Sequence, residues 1–282
     1  MNVLDKILQN VNKLQTLPTI YSSISEALKD PLVTPEKLSR IISIDQVSSF
    51  KILKVANSPF YGFRGRIDTI SQAILYLGFD EIKNIIFALS VVNIFAKDKI
   101  ILNFKPTDLW AHSIGVGIST RLIGTAIGEK ELENYFLAGI IHDIGKLLFL
   151  EFIPGDYEKV LKLVIEKNCS IEEAEIEILG INHCKAGQIL AEKWKLPSGL
   201  QDAILYHHAG LKENQSSKLI ASVHIADILV AALDLGRTGD YLIPQPNFKV
   251  WDILKLPNGF FISIKKKLIE DFNQTIRVML YQ

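Results

Sequence analysis

The chain has 282 residues, 48% of them hydrophobic and 22% charged, and its 31 Lys and Arg balance 31 Asp and Glu. That composition belongs to a globular protein of two lobes or one large domain with a substantial core, and excludes a disordered chain. Zero formal charge leaves no bulk positive field to hold a nucleic acid or an anionic membrane, and Lys265-Lys266-Lys267 reads as a solvated helix face.

Pro18 precedes a helical run from Ile20 to Leu28, which Asp30-Pro31 stops. Thr34-Pro35-Glu36 starts the next helix with a capping hydroxyl, a first-turn proline and an acid at the positive dipole end. Leu38, Ile41 and Ile42 form its buried stripe. A helix is predicted from Gln46 to Ala56, with Val47, Phe50 and Leu53 inward. A loop follows over Phe60 to Arg66, then a short helix from Thr69 to Leu77 stopped at Gly78. Asp80 is expected to cap the helix that ends near Phe95. After a connection from Lys97 to Pro106, a long helix runs to Gly128, and a single helix is predicted from Glu131 to about Phe149. Ser170-Ile171-Glu172-Glu173 fits a capping box. Further helices are expected at Cys184 to Lys195, Ser198 to His207, Ser217 to Leu235 and Phe260 to Leu280, with loop chemistry at Pro244 to Pro246. Strand signals are nearly absent. The expected organisation is a helical lobe over 1–100, a second over 106–236, and a loop-and-helix appendage over 237–282.

Cys169 and Cys184 form neither a CxxC pair nor a disulfide framework, so a reducing compartment is expected. No signal peptide is apparent, since Asp5 and Lys6 precede any apolar run. The longest nearly apolar stretch, Ile85 to Ala96, is too short to span a bilayer. The expectation is a cytoplasmic protein. Gly115-Val116-Gly117-Ile118-Ser119-Thr120 lacks the third glycine and the preceding strand of a dinucleotide loop, and no P-loop or nucleophile elbow is present.

Placement makes the six histidines informative. His142 and Asp143 are adjacent in Ile141-His142-Asp143-Ile144-Gly145-Lys146, His207 and His208 are adjacent, and His112, His183 and Asp227 lie on other apolar helical segments. Imidazole nitrogen and carboxylate oxygen suit iron, manganese or zinc, and helical bundles build metal sites from facing helices. Neighbours on a helix point about 100° apart, yet His142 and Asp143 can converge if the carboxylate bridges two ions. Lys146, at i+4 from His142, shares its face and can meet a phosphoryl oxygen, while the metals activate water and stabilise the departing charge. Singly, each histidine also fits a satisfied core residue, and His207-His208 the end of a helix. The joint order His, His-Asp, His, His-His, Asp is much less readily explained so. His224 is read as structural, and Asp108, four residues before His112, as a weak extra ligand.

With these residues the sequence resembles the HD superfamily of metal-dependent phosphohydrolases and, more closely, the HDOD family of bacterial signalling proteins. The first lobe carries Leu17-Pro18, Asp30-Pro31, Ile41 to Asp45, Leu53 to Ser58, Tyr61-Gly62, Ala73-Ile74 and Leu77-Gly78. The second adds Trp110-Ala111-His112-Ser113, Ala138-Gly139, His142 to Lys146, His183 with Gly187, Trp194 to Pro197, and Ala203 to His208. The likeness spans roughly residues 13 to 235. It implies an all-α, two-lobed bundle and a signal-transduction output module that binds a signalling protein or a nucleotide or other phosphoester ligand. The alternative is an active phosphodiesterase or nucleotide phosphohydrolase with a dinuclear centre. Members of the family commonly lose metal ligands, whereas His112, His142, Asp143, His183, His207, His208 and Asp227 are all present here. No Gly-Tyr-Pro signature follows His208, so a cyclic-di-GMP phosphodiesterase is not supported.

Overall fold

The computed structural model describes residues 6, 7, 9, 19–63, 65–95, 100–102, 104–213 and 215–280. Regular structure among them is α-helical, with two isolated bridges, Ile101–Phe104 and Lys212–Gln215, and no sheet, as the sequence predicts. Leu17-Pro18 and parts of the 97–106 connection lie outside the described residues. The described residues fall into two units, one within 1–14 and 95–265, the other within 15–94 and 266–282. No helix among them is long and apolar enough to cross a membrane.

The unit built on residues 15–94 contains α1 (Thr19–Ala27), α2 (Pro35–Ser43), α3 (Gln46–Ala56), α4 (Ile70–Leu77) and α5 (Phe79–Phe95). Local chemistry sets the boundaries. Thr34 caps α2 by accepting from Lys37 N, and Pro35 fills the first turn, where a missing N–H costs nothing. Asp45 caps α3 and Thr69 caps α4, which ends at Gly78 with φ +86°. Two expectations need correction. Val47 and Phe50 are 60% and 61% exposed, and α3 instead buries Ile52, Val55 and Ala56. The helix is apolar on more than one side, so spacing alone does not choose the inward face. Asp80 lies in the first turn of α5 and does not cap it.

The other unit contains α6 (Pro106–Ala126), α7 (Leu132–Ile141), α8 (Ile144–Phe152), α9 (Pro154–Lys167), α10 (Ile171–Leu179), α11 (His183–Lys193), α12 (Ser198–Tyr206), α13 (Lys218–Ala232) and α14 (Lys249–Leu254). The last helix, α15 (Phe260–Met279), begins here and continues in the other unit. α6 packs against α7 and α13, α8 against α11, and α9 against α10. The single helix expected from Glu131 to Phe149 is two, because the chain breaks at His142-Asp143, where Asp143 takes φ −97° and ψ 14°. α9 is not foreseen from the sequence, although Pro154 starts it and Tyr157, Val160, Leu161 and Val164 form a helical buried stripe. Ser170 and Glu173 make both halves of the capping box.

Two glycine crossings hold the helices at backbone contact. A Cβ on Gly139 of α7 would lie 2.5 Å from Gly117 Cα of α6. One on Gly145 of α8 would lie 1.9 Å from His183 O and 2.9 Å from Gly187 N of α11. Each crossing stands within a few residues of His112, His142, Asp143 or His183, so the close approach places those side chains within reach of one another.

Candidate metal centre

All seven residues proposed from sequence as ligands face one buried region. His112 comes from α6, His142 and Asp143 from the break between α7 and α8, and His183 from the first residue of α11. His207 and His208 follow α12, and Asp227 lies on α13. His112, His142, His183 and His207 are fully buried, Asp143, Lys146 and Asp227 nearly so, and His208 partly. His112 Nε2 lies 2.9 Å from Asp227 Oδ1, which is 3.9 Å from His142 Nε2. Asp143 joins this group to the next. Its Oδ2 is 3.4 Å from His142 Nε2, while its Oδ1 is 3.3 Å from His183 Nε2 and 3.6 Å from His207 Nε2. His183 Nε2 and His208 Nε2 are 3.0 Å apart.

Backbone carbonyls decide the tautomers. His142 Nδ1–H donates to Gly139 O at 2.7 Å and His207 Nδ1–H to Ile204 O at 2.8 Å. A carbonyl only accepts, so in the neutral imidazole each Nε2 carries a lone pair turned into the site. His142 Nε2, His207 Nε2 and Asp143 Oδ1 are buried without a hydrogen-bond partner among the described residues. Leaving such groups unsatisfied costs about 1–3 kcal/mol each. Converging orphaned lone pairs on nitrogen and oxygen fit a divalent cation of the iron, manganese or zinc kind. The 3.0 Å between two imidazole nitrogens is also what bonds of about 2.1 Å at roughly a right angle produce.

The charge pattern agrees. Burial opposes ionisation of Asp143, but the Lys146 ammonium beside it holds its carboxyl well below the usual range. Burial likewise works against the Lys146 ammonium, yet Asp143, Asp240 and Glu175 keep it charged, with Nζ 2.9 Å from Asp143 Oδ2. Burial also opposes the Asp227 carboxylate, which its hydrogen bond from His112 holds low.

His224 does not join the cluster: its Nδ1–H donates to His207 O and its Nε2 accepts from Asn247 N. Sequence reasoning missed Glu175 on α10. This side chain is fully buried and its Oε2 accepts from both His183 N (2.7 Å) and His183 Nδ1 (2.6 Å). Burial pushes its pKa up to about 8. It orients the imidazole of His183 and pins its lone pair on Nε2. Glu175→Gln is expected to weaken metal binding about 10- to 100-fold, read by competition against a chromophoric chelator. An affinity equal to the wild type's would remove Glu175 from this role.

Beside the cluster lies a cavity of about 380 Å³, with His112, Lys146, His208 and Asp227 in its wall. The segment from Asp234 to Pro244, which from residue 237 onward reads from sequence as an appendage, closes one side. Gly236 presses so close that a Cβ would meet His112 N at 2.2 Å, and its φ of +88° suits glycine alone. Arg237 N donates to Asp108 O, and Asp240 accepts from Ile171 N at the start of α10.

The profile of the HDOD domain matches residues 14–210. An HDOD domain protein of unknown function from Geobacter sulfurreducens is 27% identical, with a TM-score of 0.81 over 98% of each chain. A candidate phosphohydrolase from Shewanella amazonensis is 23% identical, with a TM-score of 0.71 over 95% of this chain and 97% of that one. A candidate signal transduction protein from Marinobacter aquaeolei is 19% identical, with a TM-score of 0.76 over 96% and 61%. The likeness to these last two is one of fold. An uncharacterized protein of Treponema pallidum is 23% identical over 241 residues, which are 85% of this chain and 46% of that protein, so the chain spans about half the length of this curated relative.

Proposed function

Since the chain belongs to the HDOD domain family, we propose that it is a signalling protein whose histidine–aspartate cluster holds a divalent-metal centre, and that this centre hydrolyses a phosphate ester. The carrying observation is the cluster's position: seven side chains, six of them buried, meet beside a cavity whose wall also presents Lys146. His112, His142 and Asp227 would hold one ion, and His183, His207 and His208 a second, with Asp143 between them through its two oxygens. Bound there, divalent ions supply Lewis-acid polarisation of the phosphoryl oxygens and lower the pKa of water. The chain's own contribution is placement. Lys146, in the cavity wall, forms a buried ion pair with Asp143 behind it, and the ammonium is set to meet a phosphoryl oxygen and offset charge on the departing group. Glu175 and the carbonyls of Gly139 and Ile204 keep the imidazole lone pairs aimed inward.

A second reading, binding without turnover to serve as a regulatory output, is favoured by Ile44, Val47 and Phe50. Ile44 closes α2 and Val47 and Phe50 lie on α3, and the three are 85%, 60% and 61% exposed, apolar surface suited to a protein partner. One experiment separates the readings: metal analysis of the full chain purified without oxygen, followed by turnover of p-nitrophenyl phosphate and bis-p-nitrophenyl phosphate. About two ions per chain with turnover is expected. Retained metal without turnover favours the regulatory reading, and a folded wild type that takes up no iron, manganese or zinc overturns the metal centre.

A further inference from the structure

The cavity beside the cluster combines cluster residues in its wall with apolar side chains, several of them exposed. Its inner wall holds His112, Lys146, His208 and Asp227, and the lining adds a second cation, Arg237, and two more carboxylates, Asp234 and Asp240. Its outer lining includes Leu102, Ile165, Tyr241, Leu242 and Ile243, which are 41%, 55%, 68%, 40% and 55% exposed. Large apolar side chains left in water singly need no explanation, but five gathered at one opening mark a surface that a ligand covers. Phe104 and Leu161, both buried, continue the apolar lining inward. At about 380 Å³ the cavity stands at the small end of ligand sites.

From this layout we infer the class of ligand: a phosphate monoester whose other end is one compact apolar group, of the size of an aromatic ring or a single nucleobase. The phosphate lies against the inner wall with Lys146, and the apolar group lies among Ile165, Tyr241 and Ile243. The inference rests on the phosphoester reading above and adds selectivity to it. The segment from Asp234 to Pro244 is then the specificity element. It is held in place by the Gly236 contact with His112 and by the Asp240 bond to Ile171 N, so the apolar wall is built into the fold.

The test uses phosphonates, which share the anionic head and are not cleaved. Methylphosphonate, benzylphosphonate and octylphosphonate are titrated by calorimetry into the metal-loaded full chain and into Ile165→Asp and Ile243→Asp. Both substituted positions are more than half exposed, and melting curves check that the variants fold. Benzylphosphonate is expected to bind the wild type at least about 10-fold more tightly than methylphosphonate, and this ratio is expected to fall toward one in both variants. Equal affinities for the two in the wild type overturn the inference and leave the phosphoester reading standing. Tighter binding of octylphosphonate than of benzylphosphonate overturns it in favour of a lipid-like ligand. Failure of all three to bind a metal-loaded chain overturns both readings.

Discussion

Asp143→Asn is expected to lower phosphoester turnover by about 1,000-fold or more, equivalent to roughly 4 kcal/mol of barrier, and to reduce the metal bound per chain. The side chain sends one oxygen to His142 and the other to His183 and His207. An amide replaces one oxygen with an N–H donor, which does not ligate and instead hydrogen-bonds an imidazole lone pair. A second effect must be separated from this one. Lys146 is 1% exposed and pairs with Asp143, and a buried charge that loses its partner costs about 3–5 kcal/mol. The double variant Asp143→Asn, Lys146→Met removes the stranded ammonium. It is expected to recover thermal stability while metal content and turnover stay low. Full metal loading and turnover in Asp143→Asn would overturn the assignment of this carboxylate.

Gly145→Ala is expected to cost about 3 kcal/mol or more of stability, at the upper end of overpacking effects. The added methyl would stand 1.9 Å from His183 O, 2.7 Å from His183 C and 2.9 Å from Gly187 N. These are backbone atoms, so no rotamer change relieves the clash and α8 must move away from α11. That motion also draws Asp143 from His183, so metal affinity is expected to fall with stability. Gly155→Ala is the control. A methyl on Gly155 would meet nothing within 4 Å, and the change is expected to be neutral or to stabilise by up to about 1 kcal/mol. Urea denaturation of both variants checks the contrast, and a Gly145→Ala midpoint equal to the wild type's would refute the crossing as a constraint.

Much of the fold is legible because its signals are local. Thr34, Thr69 and Ser170 announce helix starts through hydroxyls that accept from backbone N–H groups three residues on, and Gly78 ends α4 with a positive φ. The cluster residues are legible as a set because several uncommon residue types recur in an order that helices can bring together. What escapes the sequence depends on tertiary context. Val47 and Phe50 have the composition of a core and the exposure of a surface. The break at His142-Asp143 carries no proline or glycine at the break itself, so apolar continuity hides it. Glu175 sits in a run of acids on α10, and nothing in that run distinguishes the carboxylate that reaches His183. Residues 237 to 244 read as part of an appendage until the contacts of the Asp234 to Pro244 segment with His112 and Ile171 are seen.

The seven cluster residues span positions 112 to 227 and are supplied by five separate stretches of chain. An ion seated among them is a reversible cross-link that closes several long loops at once, and each loop closed withdraws conformations from the unfolded chain. No short fragment of the protein can therefore retain the ion's full affinity. The free energy of seating it would appear in the cooperativity of that unit, so a chelator that withdrew the ion would loosen its helices together rather than one at a time.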